Sequence, residues 1–152
     1  MAEVFLSQSE ALKHVFGKNH RAALKSKIIE RQDLRKLEAK AKAKIGSRLF
    51  SYHIWRGNIV VIDKALVRTK QCVYMVAVNS NLKVKSVKVL AFFEPDEYLP
   101  TDNWFEKFSG LKPSRQVELG DNIPLVAGST LTVNAISKGV RKNLALLDYF
   151  FN

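Results

Sequence analysis

Apolar positions recur at helical spacing at both ends of this chain and at strand spacing in its middle. Near the start, Ala11, Leu12, Val15 and Phe16 lie three to four residues apart or adjacent, which predicts a helix over 7–16. Ser7 followed by Glu10 is the spacing of a capping box, and Gly17 is a stop signal. A second stripe, Leu34, Leu37, Ala41 and Ile45, predicts a helix over 29–45 closed by Gly46. Arg35, Lys36, Lys40, Lys42 and Lys44 cover the rest of that helix. From Arg48 the period falls to two. Phe50, Tyr52 and Ile54 alternate with Ser51 and His53, Arg56-Gly57-Asn58 turns the chain, and Ile59 begins a return strand. Cys72 to Val78 reads as a third strand, and Leu82 to Phe93 as a fourth after an Asn79-Ser80-Asn81 turn. In the last of these the phase slips from Leu82 and Val84 to Val87 and Val89, so a bulge is expected near Ser86.

Pro95 and Pro100 then open a loop, and Thr101 or Asp102 can cap a short helix reaching Phe108 before Gly110. The final stripe, Val133, Ile136, Val140, Leu144 and Leu147, predicts a long helix. The expected partition of a single domain over 1–152 is therefore helices 7–16 and 29–45, a sheet over 48–93, a loop and short helix over 94–110, and a loop with a C-terminal helix over 124–147. The expected fold class is α+β: an antiparallel four-stranded meander with helices packed on one face.

Charge adds a regional bias. The formal net charge is +11, and residues 1–90 hold 19 basic against 6 acidic residues, whereas residues 91–152 hold 6 against 8. That surface suits an acidic partner, an anionic membrane or nucleic acid. No aromatic or RNA-binding motif interleaves with the lysines, so nucleic acid is not expected and a solvated helix face is the simpler reading. The single cysteine, Cys72, excludes an internal disulfide and reads as a buried or strand-edge residue. His14, His20 and His53 share no ligand spacing, so no metal site is expected. No catalytic pair is legible. The first residues lack the basic-then-apolar pattern of a signal peptide, which leaves a cytoplasmic protein or a mature chain whose export signal has been removed.

One stretch carries candidate chemistry. Val126-Ala127-Gly128-Ser129-Thr130-Leu131-Thr132 places small and hydroxylated residues just ahead of the last helical stripe. Gly128 permits close backbone approach, and Ser129, Thr130 and Thr132 suit a first helical turn. A helix start has unpaired N–H groups and the positive end of the dipole, so it can hold a phosphate. From spacing alone it reads equally as an ordinary capped helix. Tyr98, Trp104, Phe105 and Phe108 are core aromatics by default, although flat ligands stack on such rings.

Gly128-Ser129-Thr130-x-Thr132 with the following Asn134–Lys142 helix resembles the signature of the FMN-binding domain family. That family includes the flavin-bearing subunits of sodium-translocating NADH:quinone reductase and of a related ferredoxin-oxidising membrane complex. Two further pieces are similar and fall in family order: Arg68-Thr69-Lys70, between the second and third strands, and Phe92-x-Glu94-Pro95-x-x-Tyr98-x-Pro100, after the fourth. The resemblance implies FMN as cofactor, with Gly128, Ser129 and Thr130 on its phosphate and Thr132 supporting that turn. It implies Arg68, Thr69, Glu94, Pro95 and Tyr98 around the isoalloxazine ring. In many members the threonine matching Thr130 is esterified to the FMN phosphate by a flavin transferase. Here Ala127 stands where serine is usual and Pro124 where the transferase motif has aspartate, which leaves the bond at Thr130 open.

The function expected on that basis is an electron-transfer domain, a redox carrier more than a self-sufficient enzyme. Its implied partners are redox proteins of an electron-transfer chain and, where Thr130 is esterified, a flavin transferase. The family implies proximity to a membrane and a periplasmic or otherwise extracytoplasmic location. The alternative is a basic interaction module of the same fold that has lost the flavin and binds an acidic partner or surface.

Overall fold

The computed structural model describes residues 3–114 and 117–152. Its chain order begins with β1 (Glu3–Val4), α1 (Gln8–Phe16), β2 (Ala23–Ile28), a 3-10 turn (Arg31–Asp33) and α2 (Leu34–Ala41). Strands β3 (Leu49–Trp55), β4 (Asn58–Leu66), β5 (Gln71–Val78) and β6 (Val84–Phe92) follow. A 3-10 turn (Asp96–Tyr98), α3 (Asp102–Glu106) and the long α4 (Thr130–Phe151) complete it. The strands form one antiparallel sheet in the order β1-β6-β5-β4-β3-β2. The architecture is α+β in a single domain, with six strands where the sequence pattern predicts four.

The two extra strands are the two edges. β1 is two residues long, too short to carry a period. β2 is exposed along its whole length, so neither face has the buried alternation that marks a strand. The central meander matches expectation, including the two-residue turn at Arg56 and Gly57, both with positive φ. The bulge also falls where the phase slips. Ala77 pairs with Ser86 and Val78 with Val84, so Lys85 is the extra residue and both Val84 and Val87 are buried.

The pattern predicts helices on one face of the sheet, but they cover both. Ala11 and Phe16 of α1 pack with Val60, Met75, Ala77 and Leu90. α2, α3 and α4 pack on the opposite face, against the cluster that holds Val61, Tyr74, Val76 and Phe92. β5 is consequently buried on both sides, from Cys72 through Val78 with only Val73 partly open. Its unbroken apolar run is the signal of a doubly covered strand.

Helix boundaries also move. The predicted helix over 29–45 is shorter: Ile29 is buried and its N–H donates to the Arg48 carbonyl at 2.8 Å, ladder-like, before the 3-10 turn. α2 stops at Ala41 because Lys42 adopts a left-handed conformation and the Glu38 carboxylate accepts from the Ile45 N–H at 2.8 Å. α1 and its capping box agree with the sequence, Ser7 Oγ accepting from Glu10 N–H and Glu10 Oε1 from Ser7 N–H. α4 starts at Thr130 and runs past Leu147 to Phe151, where Phe150 stacks on Phe50 and Phe151 meets Tyr52 edge-on. No helix among the described residues is long and apolar enough to cross a membrane.

α4 is held to the sheet by a buried polar knot. The Asn143 amide donates to Tyr74 Oη at 2.9 Å, to Asp63 Oδ2 at 3.1 Å and to the Gly139 carbonyl at 3.0 Å. Tyr74 Oη donates to Asp63, which also pairs with Lys142 at 2.9 Å. Burial and the Asp63 charge push the Tyr74 phenol well above its ordinary range. Burial alone would raise the Asp63 carboxyl, but Lys142, Asn143 and the Lys64 N–H outweigh it and hold the group low. This knot fixes the rotation of α4, and hence where its first turn points.

Candidate functional site

Three chain segments meet at that first turn. Approaching it, the Pro124 carbonyl accepts from the Trp104 indole N–H at 2.8 Å, which ties the incoming strand of chain to α3. Gly128 then takes φ +83, a left-handed conformation that glycine adopts without penalty. Ser129 N–H donates to the Val126 carbonyl at 3.1 Å, and the Ser129 carbonyl accepts the first helical bond from Val133 N–H at 2.9 Å. Ser129 sits at the N-cap position, yet its side chain makes no capping bond. The leading N–H groups of α4 are left for something else.

The second segment is the hairpin loop from Val67 to Lys70, closed by Val67 N–H on the Lys70 carbonyl at 3.1 Å. Glu94 grips it from behind. One carboxylate oxygen, Oε1, accepts from Thr69 N–H at 3.0 Å, Lys70 N–H at 3.0 Å and Thr69 Oγ1 at 3.3 Å. The Thr69 N–H, the Lys70 N–H and the Thr69 hydroxyl hold the Glu94 carboxyl below the ordinary glutamate value of 4.5. The third segment is the 3-10 turn after β6, where Tyr98 N–H donates to the Pro95 carbonyl at 2.9 Å and sets the ring at the mouth of the loop.

Together these segments enclose a cavity of about 250 Å³ lined by Val67, Arg68, Tyr98, Gly128, Ser129, Thr130, Leu131 and Thr132. Six residues singled out from the sequence, Arg68, Tyr98, Gly128, Ser129, Thr130 and Thr132, therefore share one pocket. Thr69, Glu94 and Pro95 do not line it. Thr69 and Glu94 stand behind the wall as its bracket, and Pro95 is exposed and serves the turn that aims Tyr98. Val67 and Leu131 complete the lining; each adjoins a singled-out residue in sequence, which was the one signal for them.

The pocket's chemistry follows from its atoms. Arg68 brings a guanidinium and α4 brings its uncapped start, so the cavity favours an anion. Thr132 is 1% exposed and its Oγ1 has no hydrogen-bond partner, an orphaned hydroxyl in the wall. A Cβ placed on Gly128 would meet nothing within 4 Å, so the loop leaves open room there. Among the described lining residues none is a histidine, cysteine or carboxylate. These groups offer binding and no proton-transfer pair.

Glu94 is the site's positioning residue and gives it a pH dependence. Because the folded carboxyl titrates below its ordinary value, its grip is present above pH 4.5 and is lost as the pH falls through the folded value. Glu94→Gln is expected to lower the thermal midpoint by a constant margin at neutral pH. That margin should shrink as both proteins are titrated below pH 4.5 in parallel melting curves. Compared with protein-family models, curated proteins and solved structures, the chain matches none.

Proposed function

We propose that the pocket at the start of α4 binds FMN and that the protein is a flavin electron carrier. The observation that supports this reading most is convergence. Segments around 68, 98 and 128–132, far apart in sequence and similar to three pieces of one flavin-binding pattern, line a single cavity. The residues fit the group. The uncapped N–H groups of α4, the open cradle at Gly128 and the Arg68 charge suit a phosphate. The orphaned Thr132 Oγ1 suits a polar ligand atom. Tyr98 supplies an aromatic face for a flat ring.

The cavity is smaller than the roughly 300–1,000 Å³ that encloses a whole small ligand. It suits the phosphate end, leaving the ring against Arg68 and Tyr98 and open to a partner. FMN held there supplies reversible electron transfer, while the chain supplies position and a positive field. That field, from Arg68 and the helix start, favours the more negative reduced state of the cofactor. The Thr130 side chain is exposed, so its hydroxyl is accessible to a flavin transferase. Glu94 acts through the loop it holds, keeping Arg68 at the wall.

Intact mass under denaturing conditions tests the linkage. Protein made alongside a flavin transferase is expected to carry the mass of one esterified FMN, and Thr130→Ala made the same way none. An unmodified wild-type mass with FMN still bound under native conditions would assign a non-covalent carrier. The basic interaction module instead requires a partner affinity that falls with salt and ignores FMN.

A further inference from the structure

A second opening lies away from the α4 pocket, along the outer edge of β6. It measures about 850 Å³ and is lined by Phe5, the edge from Lys85 to Val89, the Leu99–Pro100 turn and α3. β1 pairs with β6 only at Ala91 and Phe92, and the Phe5 N–H reaches the Leu90 carbonyl at 2.8 Å. At the other end, Val84 N–H donates to the Leu111 carbonyl and its carbonyl accepts from Gly110 N–H, each at 2.8 Å. Between these two closures, among the described residues, no strand pairs with the outer edge of Lys85–Val89. The result is a slot of fixed length, about 17 Å at about 3.4 Å per residue.

A second copy of this sheet edge would be recessed between the same two flanking segments, so two such edges cannot meet along their length. A single extended segment can enter. The two faces of the slot differ in chemistry. Val87 and Val89 belong to the cluster on the α3 face, where Leu99 and Phe105 continue an apolar wall. Lys88 lies on the α1 face, with its Nζ 2.8 Å from His14 Nε2, and Lys85 projects from the bulge. Asp102 and Glu106 rim the α3 wall, which turns acidic side chains of an incoming strand away from that face and toward the lysines.

We propose that this slot is a strand-addition site for an extended acidic segment of a partner protein. The segment alternates apolar residues toward Val87, Val89 and Phe105 with carboxylates toward Lys88, and Lys85, the extra residue of the bulge, adds positive charge at the end of the slot. Edge backbone groups give affinity, and the two faces give register and sign. The inference stands apart from the flavin reading, since no residue of the α4 pocket takes part.

The test uses the full chain and a fluorescein-labelled Val-Glu-Val-Asp-Val peptide, read by polarisation. Saturable binding is expected below about 1 mM, weakening several-fold as salt rises to about 0.5 M. A peptide N-methylated at alternate residues should lose binding, because it cannot complete a ladder. The double variant Lys85→Glu, Lys88→Glu, checked for native circular dichroism, should prefer a Val-Lys-Val-Lys-Val peptide by about tenfold, or about 1.4 kcal/mol. Absence of saturation would overturn the proposal. So would equal binding of the N-methylated peptide, an unchanged preference in the double variant, or a dimer in sedimentation that excludes the peptide.

Discussion

Gly139→Ala is expected to destabilise the protein by about 2 kcal/mol, although alanine is the better helix former by about 1 kcal/mol. Gly139 is buried in the middle of α4, where the helix crosses the sheet. An added Cβ there would sit 2.2 Å from Tyr74 Oη and 2.7 Å from its Cζ. Tyr74 is fully buried, so its ring has nowhere to retreat. Overpacking of this kind costs about 1–3 kcal/mol. Moving Tyr74 Oη also loosens its bonds with Asp63 and Asn143, and a buried polar group left short of a partner costs a further ~1–3 kcal/mol. The gain in helix propensity offsets only part of that sum. For a chain of this size, 2 kcal/mol is a fall in thermal midpoint of about 4–8 °C. Calorimetry on both proteins checks it; an unchanged or raised midpoint would mean that α4 does not approach β5 this closely.

Gly128→Val is expected to weaken FMN binding by about a hundredfold, or about 2.7 kcal/mol. A β-branched residue at φ +83 is strained by about 1–3 kcal/mol, and relaxing that strain moves the N–H groups that follow. Its side chain also enters the open space beside the helix start. Gly128→Ala should fall between, since it shares the φ penalty with less bulk. Fluorescence titration of FMN into each variant, alongside a melting curve, separates a damaged pocket from a damaged fold.

Legibility in the sequence followed how strongly each element depends on its own local pattern. The capping box of α1, the stripe of α4 and the slip near Ser86 are encoded within one element and one turn, and all three are found in place. The edge strands are not encoded that way. β2 forms because its backbone can pair with β3 from Ala23↔Ile54 to Ile28↔Leu49, not because it has a face to bury. The sidedness of the helices escapes the local pattern for a related reason. Alternation on β3 suggests one wet face, whereas the unbroken run on β5 means that both faces are covered, and α1 supplies the second cover.

The site divides in the same manner. Residues whose chemistry meets the cavity directly, such as Arg68, Tyr98 and Thr130, stand out as residue types in a motif. The resemblance implies Glu94 as a wall residue, yet it sits one layer back, where its carboxylate accepts from three donors of the hairpin instead of facing the pocket that Arg68 lines. The orphaned hydroxyl of Thr132 has no signature in sequence at all; burial alone reveals it.

Equilibrium titration of the unmodified protein with FMN and, in parallel, with riboflavin tests the central proposal most directly. With the phosphate held at the start of α4, FMN should quench saturably at one site per chain, and riboflavin, lacking that phosphate, should bind at least about tenfold more weakly. No saturable quenching up to about 1 mM FMN, or equal affinity for both flavins, would contradict it.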